Sequence, residues 1–125
     1  MTDPHEVVVD VIAVGEEPDE WQMVLVEAGP WEGETITHLK RIQARMYGCV
    51  DAALDGQLSA KFPDAIGKWV LIVLDCYGGP QNEIQRFFDR FSDGVFSIDD
   101  YRKSLQEQAF VQGIRFQLNL GSLPS

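Results

Sequence analysis

The sequence predicts an α+β fold in one domain spanning residues 1–125, with its elements in the order ββαβααβ. Three observations support this prediction: two β-branched runs near the start, a long helical stripe in the middle, and a strictly alternating run near the end. The predicted sheet is mixed or mostly antiparallel, and it packs against one long helix and two shorter helices. A length of 125 residues fits a single domain with its own core.

The first two strands are predicted from the runs EVVVDVIAV and WQMVLVEA, at residues 6–14 and 21–28. Both runs are rich in the β-branched residues that favour extended backbone. The segment GEEPDE between them contains glycine and proline, which mark a loop. The two strands are therefore expected to form a hairpin.

A long helix is predicted from Thr37 to Lys61, because apolar residues recur there at helical spacing. The dipeptide Asp55-Gly56 favours a turn locally, but the apolar stripe continues past it, so we expect the helix to be unbroken. Glycine inside a helix costs about 1 kcal/mol relative to alanine, and the bare flank around Gly56 therefore indicates another segment packing closely. Gln57 points into the stripe, so its amide is expected to be buried and hydrogen bonded.

The second half of the chain predicts a central strand, two helices and a final strand. The run KWVLIVLDC is nearly all apolar, as expected of a strand that is covered on both faces. Two helical segments follow, GGPQNEIQRFFDRF and SIDDYRKSLQEQAFVQG. The run IRFQLNL alternates apolar and polar residues, which predicts a strand with one polar face.

The formal charge of −10, from 20 acidic and 10 basic residues, disfavours several classes of partner. Binding to nucleic acid and to an anionic membrane both depend on basic residues, so we predict neither. A basic protein partner is the natural counterpart of such a charge. The sequence shows no signal peptide and no apolar run long enough to cross a bilayer, which predicts a cytoplasmic protein.

The two cysteines, Cys49 and Cys76, lie in apolar surroundings outside any CxxC pair and are predicted to be buried free thiols. With two histidines at unrelated spacing, no metal site is predicted. No phosphate or dinucleotide motif is present, so no cofactor is predicted. No catalytic residue is assigned, and an enzyme is disfavoured.

A candidate pocket is predicted at the carboxyl end of the central strand, where Asp75 and Cys76 precede a glycine pair. Ligands collect at such strand ends in open α/β sheets. Gln57 and Asp10 are the other polar candidates for this pocket, which would belong to a small enzyme or a small-molecule-binding domain. Asp10 and Glu27 also have the spacing of the acids in metal-dependent nucleases, but the lysine that accompanies such acids is missing.

A docking face for a partner is predicted along the long helix. Gly56 marks a flank without large side chains, and Arg45, Asp51 and Asp55 give the helix an uneven charge. Trp31 lies in the polar loop GPWEGE, and aromatic residues of this kind are enriched at interfaces. These five residues form the candidate partner-binding set, with packing inside the domain as the alternative.

The central segment also carries the short motifs Ile42-Gln43, Asp55-Gly56-Gln57-Leu58 and Phe62-Pro63, preceded by the loop AGPWEG. In these motifs the chain resembles a family of short bacterial proteins classed as a domain of unknown function. The resemblance implies a small soluble bacterial α+β protein, and it supplies no catalytic residues. Arg45 and Cys49 stand where that family tends to have Lys and Tyr.

Together these features favour a non-enzymatic protein-interaction module, and its most specific form is an immunity protein that binds and occludes a toxin. Two alternatives stay open. The first is a small enzyme or ligand-binding domain that uses Asp75 and Cys76. The second is a homodimer formed through the helix flank at Gly56.

Overall fold

The computed structural model of the protein describes residues 11–15, 19–27, 31, 33–107 and 110–121. Its elements confirm the predicted α+β class and, apart from one division of the long helix, their predicted order. The strands are β1 (Val11–Val14), β2 (Glu20–Glu27), β3 (Trp69–Tyr77) and β4 (Gly113–Gly121), and the helices are α1 (Thr35–Leu54), α2 (Gln57–Lys61), α3 (Gln81–Gly94) and α4 (Asp99–Glu107). None of the described helices combines the length and the hydropathy that crossing a bilayer requires.

The described strands form one mixed sheet in the order β1-β2-β3-β4. β1 runs antiparallel to β2, as expected for the first hairpin. The other two pairings, β2 with β3 and β3 with β4, are parallel. A parallel neighbour requires a crossover connection, so α1 and α2 supply the first crossover and α3 and α4 supply the second.

The core lies between one face of the sheet and the helices. Leu25 of β2 and Leu74 of β3 point into it and are fully buried. α1 and α3 lie side by side over this face. The ring centres of Tyr47 on α1 and Phe91 on α3 are 4.8 Å apart, and those of Phe91 and Phe116 of β4 are 5.5 Å apart. Burying a large apolar side chain stabilises the fold by about 2 kcal/mol, so this layer carries most of the stability.

The opposite face of the sheet carries a shallow depression lined by strand residues alone, among them Gln22, Val24 and Leu71. The described helices that pack on the sheet all lie on the face opposite this depression, so among the described residues the helices cover the central strand on one side only. Val73 is nevertheless only 4% exposed, because Val24 and Gln117 flank it on the neighbouring strands. Neighbouring strands can therefore bury a central apolar residue without a second helical layer.

The predicted long helix is divided at Asp55-Gly56, so the expectation of an unbroken helix is wrong. α1 ends at Leu54, and Gly56 has a φ of +94°, in the left-handed region that glycine adopts without steric penalty. The Asp55 carboxylate accepts hydrogen bonds from the backbone N–H of Gln57 at 3.0 Å and from its side-chain amide at 2.8 Å. These local bonds stabilise the turn, while Leu58 of α2 returns to the core and keeps the apolar stripe continuous.

The side chain of Gln57 is exposed, so the expectation that it is buried in the apolar stripe is also wrong. The left-handed turn at Gly56 redirects the chain, so a helical wheel drawn through the turn misplaces Gln57. The expected close approach to Gly56 is present, because a Cβ atom added there would lie 3.1 Å from Phe110 Cζ. The approaching group belongs to the same chain and occupies the flank that the sequence offers to a partner.

Candidate functional site

A groove with a volume of about 430 Å³ lies between α1 and α3, and every residue that lines it belongs to one of these helices. Its floor is apolar, formed by Leu39 and Tyr47 of α1 and by Phe87 and Phe91 of α3. Ile36, also on the wall of the groove, leaves 53% of its surface exposed. The volume falls within the range of about 300–1,000 Å³ that is typical of ligand sites.

The spacing of residues along each helix builds the groove. On α1 the lining residues fall at positions 35, 36, 39, 40, 43 and 47, and on α3 at positions 83, 86, 87, 90 and 91. Residues three and four apart share one face of a helix, so each set forms a continuous wall. The two walls meet where the rings of Tyr47 and Phe91 pack together, with their centres 4.8 Å apart.

The rim of the groove is basic, although the chain as a whole has a formal charge of −10. Lys40 lies on α1, and Arg86 and Arg90 lie on α3, against one acidic lining residue, Glu83. All three basic residues are exposed, and none forms an ion pair with another described residue. Their hydrogen-bond donors are therefore available to a ligand.

The basic residues of α1 that face the sheet are used differently. Glu27, at the end of β2, is 5% exposed and accepts hydrogen bonds from Arg41 Nη1 at 2.9 Å and from Arg45 Nη1 at 2.7 Å. A buried carboxylate is stable only when it is paired and hydrogen bonded, and these two arginines meet that need. Arg45, a candidate partner-binding residue, thus holds the end of β2 to α1.

The candidate pocket at the end of the central strand is not assembled from the described residues. Asp75 and Cys76 are neighbours on β3, so their side chains point to opposite faces of the sheet. Asp75 Oδ1 accepts a hydrogen bond from Asn119 Nδ2 at 2.7 Å on the face away from the helices, and Gln57 is exposed on α2. Asp10 lies outside the described residues.

The two cysteines are buried free thiols, as predicted. Burial, reinforced by the charges of Glu27 and Asp75, raises the pKa of the Cys76 thiol to about 12. Burial also raises the pKa of the Cys49 thiol to about 12, with the positive charge of Arg45 opposing the shift. Both thiols stay protonated at neutral pH, and a protonated thiol is a poor nucleophile.

The remaining candidates for partner binding make contacts within the chain. Trp31 Nε1 donates to the carbonyl oxygen of Tyr77 at 3.2 Å, and its ring lies 5.1 Å from that of His38. Asp55 holds the turn before α2. Asp51 is exposed and accepts a hydrogen bond from Tyr101, and burial together with this bond raises the pKa of the tyrosine hydroxyl.

The groove was not predicted from the sequence. Its basic residues are ordinary surface residues when read along the chain, and Phe87 reads as part of the core-facing stripe of α3. The one signal in the sequence is the pair Arg86 and Arg90, which are four residues apart beside an aromatic stripe. That signal becomes informative only when α1 is known to lie next to α3.

No group of three or more His, Cys, Asp or Glu side chains within the described ranges is arranged to hold a metal ion. The exposed basic side chains of the groove lie beside its apolar floor, so they can donate hydrogen bonds to an anion next to an apolar surface. The chain matches no family model, no curated protein and no solved structure.

Proposed function

We propose that this protein is a non-enzymatic protein-interaction module, and that its binding surface is the groove between α1 and α3. The occupant proposed for the groove is an acidic amphipathic helix of a partner protein. The observation that carries this proposal is the combination of an aromatic floor with three basic residues that form no ion pair with another described residue, in a chain of formal charge −10.

The shape of the groove favours an elongated ligand. The α1 wall runs from Thr35 to Tyr47, about 18 Å at 1.5 Å per residue, and the α3 wall from Glu83 to Phe91 is about 12 Å long. A helix of two to three turns has this length. Apolar residues of such a helix at positions i, i+3, i+4 and i+7 would rest on the floor, as in other helix-in-groove complexes.

The placement of the charges favours an acidic ligand. Lys40 stands on one wall and Arg86 and Arg90 on the other, so carboxylates on both flanks of a bound helix would each meet a basic residue. An arginine–carboxylate pair forms two parallel hydrogen bonds, and charge-assisted bonds of this kind are about twice as strong as neutral ones. An unpaired basic rim also lowers affinity for basic segments, which adds selectivity.

An immunity protein that occludes a toxin is one form of this proposal, in which an acidic segment of the toxin would occupy the groove. The overall negative charge of the chain would still attract basic regions of the same partner. A cytoplasmic location fits the two free thiols. The enzyme alternative is less favoured, because Asp75 and Cys76 lie on opposite faces of β3 and the thiol is protonated.

The proposal is tested by selecting binders from a displayed library of amphipathic helical peptides with varied flanking charge. We expect enrichment of peptides with acidic flanks. Their affinity, measured by fluorescence anisotropy, should fall about a hundredfold for the double variant Arg86→Glu, Arg90→Glu, because two charge-assisted hydrogen bonds become repulsions.

The matched control is the double variant Arg102→Glu, Lys103→Glu on α4, which makes the same change in net charge at two residues that do not line the groove. It should alter affinity less than about threefold. Selected peptides that are basic, or that bind both double variants equally, would refute the assignment of the groove. A toxin gene beside the coding gene would support the immunity form, and its product should compete with the peptide.

A further inference from the structure

β4 forms one edge of the sheet that the described strands build, and it is nine residues long. The unpaired backbone groups of an edge strand can bind a strand of another chain. Proteins usually prevent this by keeping edge strands short or by placing proline, lysine or a bulge in them. β4 contains no proline, no lysine and no acidic residue, and residues 108–125 together contain none of the acids of the chain.

The outward backbone groups of β4 can be identified from its pairing with β3. The backbone N–H of Gly78 donates to the carbonyl oxygen of Gly121 at 3.1 Å, so the backbone C=O of Gly121 points toward β3. Backbone direction alternates along a strand, so Phe116, Leu118 and Leu120 point their N–H and C=O groups away from the sheet. Among the described residues, none forms a backbone hydrogen bond with these groups.

We propose that β4 is a homodimer interface, in which a second copy of this chain pairs its own β4 antiparallel across a two-fold axis at Gln117. This register uses all nine residues of the strand. Phe116 then pairs with Leu118 of the second copy through backbone hydrogen bonds, and Ile114 pairs with Leu120 in the same way. Gln117 faces its own copy in a pair without backbone hydrogen bonds, where side chains come closest.

Charge makes a second copy a suitable occupant of this edge. Two chains of formal charge −10 repel each other, so self-association requires a surface without acids, and β4 is such a surface. Its one charged residue, Arg115, would lie opposite Asn119 of the second copy rather than opposite another arginine. The guanidinium of Arg115 also lies 4.1 Å from the ring centre of Trp69 in its own sheet, which keeps it from blocking the edge.

The pairing joins both sheets into one continuous sheet and places both helical layers on the same side of it. The axis runs perpendicular to the sheet, because side chains of paired residues point to the same face. The two grooves between α1 and α3 therefore open on one side of the dimer. The dimer proposal does not depend on the groove being a binding site, since it rests on β4 alone.

The test uses opposite charges at Gln117, an exposed residue, and measures self-association by sedimentation equilibrium. We expect the wild type to dimerise, and Gln117→Glu and Gln117→Lys each to weaken the dimer about tenfold, because like charges directly opposite are repulsive. An equimolar mixture of the two variants should restore dimerisation, since each Glu then faces a Lys. Gln112→Glu, exposed and outside the strand, is the control and should behave as the wild type.

A second measurement checks the register. Gln117→Cys should form an intermolecular disulfide under mild oxidation, because Cα atoms in such a pair are about 4.5 Å apart. Asn119→Cys should not form a disulfide, since position 119 faces 115 in the second copy. A wild type that stays monomeric at high micromolar concentration, or variants of both charges that dimerise as the wild type does, would overturn the proposal.

Discussion

The end of β2 and the groove between α1 and α3 use the same residue types in opposite ways. At the end of β2, Arg41 and Arg45 meet the buried carboxylate of Glu27 within 2.9 Å. In the groove, Arg86 and Arg90 meet no acidic partner among the described residues. The difference teaches that charge count along a helix is a poor guide to function, because pairing within the chain decides which charges remain available.

The largest change in the free energy of unfolding is expected on mutation of Glu27, the buried residue in this comparison. Glu27→Ala removes a buried carboxylate that accepts from two arginines, and it should lower the free energy of unfolding by about 3 kcal/mol. Urea denaturation monitored by tryptophan fluorescence measures this change. Glu83→Ala, at the exposed rim of the groove, is the matched control and should change stability by less than about 0.5 kcal/mol. Equal effects at both positions would break the comparison.

A smaller change in stability is expected on replacing Gly56 or Gly94 with alanine, and the two changes should differ in sign or size. Gly56→Ala should destabilise the protein by about 1–2 kcal/mol, because alanine is strained at a φ of +94° and its Cβ atom would press on the Phe110 ring. Gly94→Ala, in a helical conformation with open space around the added atom, should be neutral or stabilising by up to about 1 kcal/mol. Thermal unfolding of both variants tests this pair, and a stabilised Gly56→Ala protein would contradict the turn.

The buried thiols beside the arginines of α1 give a pH-dependent prediction. The pKa of each thiol is about 12 in the folded chain against an ordinary value of 9.0, so the unfolded chain loses thiol protons first as the pH rises. The contribution of each buried thiol to the free energy of unfolding is complete below pH 9 and is lost between pH 9 and 12. Over that range the free energy of unfolding falls by up to about 1.4 kcal/mol per pH unit for each cysteine.

Urea denaturation at several alkaline pH values measures that slope, and Cys76→Ala should reduce it. Iodoacetamide at pH 8 should leave both thiols of the folded protein unmodified and should alkylate both in denaturant. Rapid alkylation of the native protein would show that the end of β3 is open to solvent, and it would contradict the burial of Cys76.

The smallest change in stability is expected in the groove between α1 and α3. Arg90→Ala should change the free energy of unfolding by less than about 0.5 kcal/mol, because an exposed and unpaired side chain contributes little to stability. Arg45→Ala, which leaves Glu27 with one arginine, should be destabilising by about 1–2 kcal/mol. Differential scanning calorimetry of the two variants compares them directly, and a larger loss for Arg90→Ala would show that the groove rim is structural.

Much of the fold is predictable because it depends on local periodicity. The run of nine strand residues from Trp69 is apolar enough to identify a central strand, and the alternation after Gly113 identifies β4. The break at Gly56 escaped prediction because Leu58 is buried after the turn, as it would be in an unbroken helix, although Gln57 is exposed. Periodicity reports which residues are buried, and it does not report where a helix changes direction.

The candidate site is less predictable because it depends on which helices are neighbours. Lys40 and Arg86 become two walls of one groove only when the strand order places α1 beside α3, and strand order is a long-range property. The pairing of Glu27 with Arg41 depends in the same way on the angle between α1 and β2. Sequence position alone separates these residues by 14, and no local pattern connects them.

The parallel pairings of β3 have a consequence for how fast the chain folds. The salt bridge between Asp19 and Lys68 closes a loop of 49 residues, and the hydrogen bond between Asp75 and Asn119 closes one of 44. Both loops must lose conformational entropy before the central strand gains either neighbour, whereas the hairpin of β1 and β2 closes locally. β1 and β2 should therefore meet within microseconds in the unfolded ensemble, and the arrival of β3 between β2 and β4 should set the folding rate, on the order of milliseconds to seconds.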